Sequence, residues 1–409
     1  MNTVDTVLAG LDAGLGSLRD IYKQLHRHPE LGFQEHGSAT LVAGQLASFG
    51  YSVQRIGGTG VVGVLANGDG PVVLSRADMD ALPVTEDTGL SYASEVDGVM
   101  HACGHDMHVT TLLGAARLMA RGRGNWSGTF IALFQPAEEL GRGSQAMLDD
   151  GLATKVPQPD VVLGQHVMPL PAGVVAIAAG PVLSAGDCLK VTVHGKGSHG
   201  SMPHMSVDPV VLAASIVLRL QTIVSRETRP GEFAVVTVGA LNAGTTANII
   251  PDRAVLLLNI RSYDTRVRAK VLAAVERIVR AECEAAASPK DPEFEFYEQF
   301  PLTSNDARVT EKVTAAFTRH FGGDAVQRAS RQTASEDFSR IPDAFGVPYA
   351  YWFLGGCDPD SYRAAEARGT VAQDIPANHS PAYAPVLDPT LSTGVQSHVA
   401  AALACLGRR

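Results

Sequence analysis

The side chains best suited to hold a transition metal lie far apart along this chain, and that separation constrains the fold more than any local pattern. The segment H101-A-C-G-H-D-M-H108 sets one thiol and three imidazoles within eight residues. A carboxylate pair follows at Glu138-Glu139, then His166, and His379 near the end. Soft and borderline donors mixed with carboxylates suit a catalytic transition-metal site, whereas a structural zinc site closes locally on paired Cys or His units. Donors dispersed in this way meet only if the tertiary fold brings several segments to one point. The pattern implies a metal-dependent hydrolase.

Apolar periodicity supplies such a fold. An opening amphipathic helix is marked by Val4, Val7, Leu8, Leu11, Leu15, Leu18, Ile21 and Leu25, which step by threes and fours. Residues 51–77 read as three strands separated by glycine-rich turns. The run Gly58-Thr-Gly60-Val-Val-Gly63 matches a dinucleotide fingerprint by letter but leads into a β run, so a hairpin turn is the better reading. Helices follow at 106–121 and 142–150, alternating with short apolar runs from Gly128 and Asp160. The alternation predicts an α/β sheet with helices on its faces. Three strands run into Asp78 and Asp80, into Glu138-Glu139, and into His166. In open α/β sheets, ligands sit beyond the carboxyl ends of strands.

Residues 184–299 follow a different order, β-α-β-β-α-β, which predicts a ferredoxin-like unit inserted into a first domain of residues 1–183 and 300–409. With 45% hydrophobic and 18% charged residues, the 409-residue chain has the composition of a folded α/β protein. Its net charge of −9 argues against nucleic acid or an anionic membrane as partner. Five scattered cysteines make no disulfide framework and point to a reducing compartment. Asp5 stands where a targeting signal would carry basic residues, and no uninterrupted apolar run approaches about 20 residues, so no membrane span is expected. The expected location is the cytoplasm.

Each candidate has a plainer alternative. Cys103 and His105 are two apart, so an extended segment would present both on one face as a metal-ligand pair; a buried cysteine beside a helix-capping histidine is the other reading. Glu138 and Glu139 follow Pro136 and are expected to diverge, one holding metal and the other free to move a proton; a solvated acidic turn is the alternative. One of Asp78 and Asp80 should orient an imidazole by accepting its ring N–H, with a cap or turn as the bland role. His199, in a glycine-rich loop, suits a mobile donor to a developing oxyanion. Asn248 and Arg261 suit a substrate carboxylate, or form an ordinary surface pair. His26, His28 and His36 show no partner and read as structural. No Gly-x-Ser-x-Gly elbow, HExxH or P-loop occurs, so serine hydrolase, zincin and kinase readings lack support.

Taken together, LHRHPELGFQE (from Leu25), RADMDALP (from Arg76), HACGHDMH (from His101), QPAEE (from Gln135), GKGSHGSMPH (from Gly195), TTANIIPD (from Thr245), SEDF (from Ser335) and ANHSP (from Ala377) resemble the M20 metallopeptidase family, most closely its amidohydrolase branch of hippurate hydrolases, aminoacylases and auxin-conjugate hydrolases. The resemblance covers nearly the whole chain. It implies a metallopeptidase-type catalytic domain with helices around a mixed sheet, and a ferredoxin-like lid that also forms a dimer interface. It further implies two divalent ions held by Cys103, His105, Glu139, His166 and His379; the Cys103 thiol favours zinc, while the nitrogen and oxygen donors would accept manganese, cobalt or nickel. Glu138 matches the general base and Asp80 the aspartate beside the metals. His199 matches a lid histidine that can serve the neighbouring subunit, while Asn248 and Arg261 match positions for the substrate carboxylate. The implied substrates are N-acyl amino acids with aromatic or aliphatic acyl groups. A dipeptidase, an N-acetyl-diaminopimelate deacetylase, and a non-catalytic binder of amino-acid conjugates are the alternatives.

Overall fold

Val72–Asp78, Trp126–Gln135 and Val161–Pro171 form the centre of one nine-stranded sheet. The computed structural model describes residues 3–408, so residues 1, 2 and 409 of the expected first domain lie outside the described residues. Across the sheet the order is Ser52–Arg55, Val61–Asn67, Trp126–Gln135, Val72–Asp78, Val161–Pro171, Tyr349–Cys357, Val175–Ile177 and Val326–Arg328, with Gly407–Arg408 paired to Trp126–Gln135 off this path. The first two strands form an antiparallel hairpin across the glycine-rich turn. The four strands from Trp126–Gln135 to Tyr349–Cys357 are mutually parallel. Their carboxyl ends therefore share one edge, where a parallel sheet presents its functional residues.

The helix His105–Arg121 is buried along almost its whole length. Apolar residues occur all round it, as a helix covered on every side requires. It packs against strand Val72–Asp78 and against helices Leu11–Arg27 and Leu387–Cys405. Gly114 permits that approach: a Cβ there would lie 2.6 Å from Val395 Cγ2 and 2.9 Å from Leu18 Cδ1. Leu112 and Leu113 are fully buried, and each such side chain contributes about 1.5–3 kcal/mol. The helix is thus a fixed post, and its amino-terminal end carries His105.

By contact, the chain divides into two units. The second comprises Leu183–Thr303 and Arg331–Glu336, and the remaining described residues form the first. The second unit contains a four-stranded antiparallel sheet in the order Ala234–Ala243, Arg253–Ser262, Ala185–His194, Glu293–Phe300. Helices Pro209–Thr222 and Thr265–Ala285 pack on it, and both begin at an aspartate, Asp208 and Asp264, whose side chain accepts backbone N–H groups of the first turn. One helix, Pro209–Glu227, is long and apolar enough to cross a membrane by length and composition. Its Leu212, Ala213, Ile216, Leu220 and Ile223 are instead buried in this unit's core.

Candidate metal centre

The donors meet at the carboxyl edge of the large sheet, though not always in the local structure expected. Cys103 and His105 do not share an extended segment. Cys103 lies in a turn, and His105 is the first residue of its helix. Between them Gly104 has φ +81°, and a Cβ there would lie 2.3 Å from Val167 Cγ1, so only glycine fits. His166 is not beyond a strand end either. Its strand continues to Pro171, and His166 pairs with Phe353 in mid-sheet. Glu138 and Glu139 follow the end of Trp126–Gln135 through Ala137, itself at φ +46°. His379 reaches the site from an irregular segment at φ +71°, its N–H donating to Ala102 O at 2.8 Å.

The imidazoles are aimed by their far nitrogens. His105 Nδ1 bonds Asp80 Oδ1 at 3.2 Å, and His166 Nδ1 donates to Val167 O at 2.8 Å. Both rings then turn Nε2 toward the other donors. His166 Nε2 is 3.5 Å from Cys103 Sγ. His105 Nε2 lies 3.8 Å from Glu139 Oε1 and 4.0 Å from Glu138 Oε2, while His379 Nε2 lies 3.3 Å from Glu139 Oε1. The glutamates were expected to point apart; instead both carboxylates approach His105 Nε2.

This arrangement fits divalent metal by its own chemistry. His105 Nε2 is buried without a hydrogen-bond partner. A buried orphan of that kind costs about 1–3 kcal/mol unless something binds it. Cys103, His105 and His166 have donor atoms within 4.8 Å of one another, as do Cys103, Glu139 and His379. Burial and Glu139 push the Cys103 thiol up, but His166 and the surrounding imidazole hydrogen bonds carry it down to about 5, the thiolate form that binds metal. Bonds to Cys103 and Glu139 raise His379 to about 10. Protons sit where a cation would neutralise the same negative charge.

Several supporting residues escaped the sequence reading. Arg76 is fully buried, donating from Nη1 to Asp78 Oδ2 at 2.6 Å and from Nε to Gln135 Oε1 at 2.9 Å. Asp78 in turn accepts from His108 Nδ1, so it is an internal ion-pair partner rather than a cap. Burial alone would push Asp78 up; the Arg76 charge instead holds it well below the usual carboxylate range. The available signals were a lone arginine inside an apolar strand and the three-residue spacing of His105 and His108 on one helix face. His26, read as partnerless, lies buried between Asp106 Oδ2 at 2.6 Å and Glu86 Oε1 at 3.2 Å. His28 and His36 are exposed.

His199, Asn248 and Arg261 belong to the second unit. His199 and Asn248 occupy one small exposed ladder: Ser198–His199 pairs with Ile249–Ile250, and the Gly200 N–H donates to Asn248 O at 2.7 Å. The Arg261 guanidinium bonds Asn259 Oδ1 at 2.9 Å and Ser335 Oγ, packed where a Cβ on Gly186 would intrude.

Comparison with known proteins agrees with this geometry. Residues 74–374 match the model of peptidase family M20/M25/M40. The chain is 39% identical over 342 residues to a hippurate hydrolase of Campylobacter jejuni, covering 82% of this chain and 88% of that one. It is 37% identical to thermostable carboxypeptidase 1 of Saccharolobus solfataricus over 341 residues, 82% of this chain and 84% of that one. Among solved structures, the YXEP protein of Bacillus subtilis, described as a dinuclear metal-binding peptidase of the M20 family, superimposes with a TM-score of 0.79 at 28% identity, covering 96% of this chain and 98% of that one. The chain belongs to peptidase family M20/M25/M40, and its α/β fold is the family's.

Proposed function

We propose that this protein is a metal-dependent amidohydrolase that cleaves N-acyl amino acids, with aromatic or aliphatic acyl groups, into a carboxylic acid and a free amino acid. The observation that carries the reading is the convergence of Cys103, His105, Glu139, His166 and His379 around the unpartnered Nε2 of His105. We assign these five as ligands of two divalent ions. The thiolate favours zinc, while the nitrogen and oxygen donors accept manganese, cobalt or nickel. Ions held there would supply Lewis acidity to the scissile carbonyl and to a water beside it.

The remaining steps fall to the chain's own groups. Glu138, 6% exposed, takes the water's proton and returns it to the leaving nitrogen. Asp80 fixes His105 through Nδ1. In the same reading, His199 donates to the developing oxyanion, and Asn248 and Arg261 receive the substrate carboxylate. Hippurate hydrolase and carboxypeptidase, as those names stand, share a leaving group that is an amino acid with a free carboxylate, which supports this substrate class. The reading also takes the enzyme as a cytoplasmic homodimer joined through the second unit, whose helix Pro209–Thr222 exposes Val211 and Leu218.

The test is metal-stripped protein refilled with Zn²⁺, Mn²⁺, Co²⁺ or Ni²⁺ and assayed on hippurate, N-acetyl amino acids and dipeptides. Metal-dependent release of amino acid from the acyl substrates supports the reading. Activity on dipeptides alone moves it to a dipeptidase, the second reading favoured by the carboxypeptidase relative, and activity on N-acetyl-diaminopimelate moves it to that deacetylase. Ligand binding without product under every metal would leave a non-catalytic binder of amino-acid conjugates.

A further inference from the structure

We infer that Glu35 is a positioning residue for the Glu138-Glu139 turn, holding the backbone at Ala137 so that the Glu138 carboxylate keeps its aim. The inference rests on Glu138 being the group that moves the proton.

The turn is strained at its first residue. Ala137 has φ +46°, a left-handed conformation that costs a non-glycine residue roughly 1–3 kcal/mol and persists only where the surroundings enforce it. Two carboxylates supply that enforcement from opposite sides of Glu138. Glu35 Oε1 accepts the Ala137 N–H at 2.8 Å, and Asp80 Oδ2 accepts the Glu139 N–H at 3.0 Å. The Ala137 carbonyl is held as well, by the Gly143 N–H at 3.1 Å. The backbone flanking Glu138 is therefore tied on both sides by buried acceptors.

Glu35 is committed to this contact. It stands at the head of helix His36–Ser48 yet makes no side-chain cap there. Its side chain reaches a residue 102 positions away, and its second oxygen accepts from the Thr59 hydroxyl. The carboxylate is 0% exposed. Burial pushes its pKa up, while the Thr59 and Ala137 donors pull the other way. A carboxylate in so dry a place costs free energy unless its hydrogen bonds are made. The loop that carries it is fitted to the turn: a Cβ on Gly32 would lie 3.1 Å from Ala137 Cα and 3.0 Å from Leu140 Cδ1. The LGFQE segment thus cradles the catalytic turn, which accounts for a motif that the metal ligands leave unused.

The experiment compares metal-loaded wild type with Glu35→Ala, Glu35→Gln and Thr59→Val. It reads kcat and KM on the best substrate of the panel, and amide hydrogen exchange at Ala137. Glu35→Ala should lower kcat on the order of ten- to a hundredfold with little change in KM, and exchange at Ala137 should accelerate. Glu35→Gln retains an acceptor oxygen for the Ala137 N–H, so activity and protection should both stay close to wild type. Thr59→Val removes the other partner of Glu35 and should leave Ala137 protected and kcat nearly unchanged. The inference is overturned if Glu35→Ala keeps wild-type kcat, if exchange at Ala137 does not respond, or if all three variants lose activity alike, as a general packing defect would produce. Should the wild type hydrolyse nothing in the panel, the reading of Glu138 falls, and exchange at Ala137 alone then decides whether Glu35 holds the turn.

Discussion

His108 accepts the backbone N–H of Val167 through Nε2 at 2.7 Å, which ties the helix carrying His105 to the strand carrying His166. Since Nε2 accepts, the proton resides on Nδ1 and faces Asp78. Burial drives the ring's pKa down, the Asp78 carboxylate recovers it only in part, and it settles at about 4. His108 is therefore a neutral brace near neutral pH. His108→Ala should weaken metal binding by about 10- to 100-fold, the usual cost of removing a partner behind the ligands. Competition with a chelator measures this; unchanged affinity would refute the bracing role.

The two adjacent glutamates should separate cleanly. If Glu138 carries the proton as proposed, Glu138→Gln abolishes turnover while metal content stays near wild type. Glu139→Gln should lower metal occupancy itself. Elemental analysis beside single-turnover assays checks both, and equal metal loss in the two variants would contradict the assignment of roles.

Arg76 supports the site from beneath. It is 1% exposed and faces both Asp78 and Asp337, the latter at 3.4 Å. Arg76→Met leaves buried carboxylates without their counter-charge, which should destabilise the protein by about 3–5 kcal/mol. Urea denaturation reads this as a lower midpoint. A loss well below 1 kcal/mol would mean that the remaining partners carry the network.

His26 should make stability depend on pH. Burial lowers its pKa, but the hydrogen bond and charge of Asp106, with Glu86 beyond, override that and raise it from 6.5 to about 9. A folded value above the unfolded one means stabilisation that is fully present below pH 6.5 and lost as pH rises through about 9. The contribution is on the order of 3 kcal/mol. The gap in melting temperature between wild type and His26→Gln should therefore narrow from pH 6 to pH 9.5. A gap that stays constant over this range would show that His26 does not carry the charge.

The periodic elements and the candidate donors could be read from the sequence, because both are properties of short segments. Alternation and helical spacing placed the strands around Val72, Phe130 and Val162 and the helix over 106–121, and residue chemistry singled out Cys103, the Glu138-Glu139 pair and His379. The relations among buried polar groups were not legible, because each depends on which segment folds opposite. Glu35 meets Ala137 and Arg76 meets Asp337 only after the sheet has formed. Gly104 looks like a spacer until the side chain of Val167 lies 2.3 Å from where its Cβ would stand. A carboxylate or imidazole in the sequence states what it can bind; burial decides whether it must, and the tertiary fold alone supplies the partner.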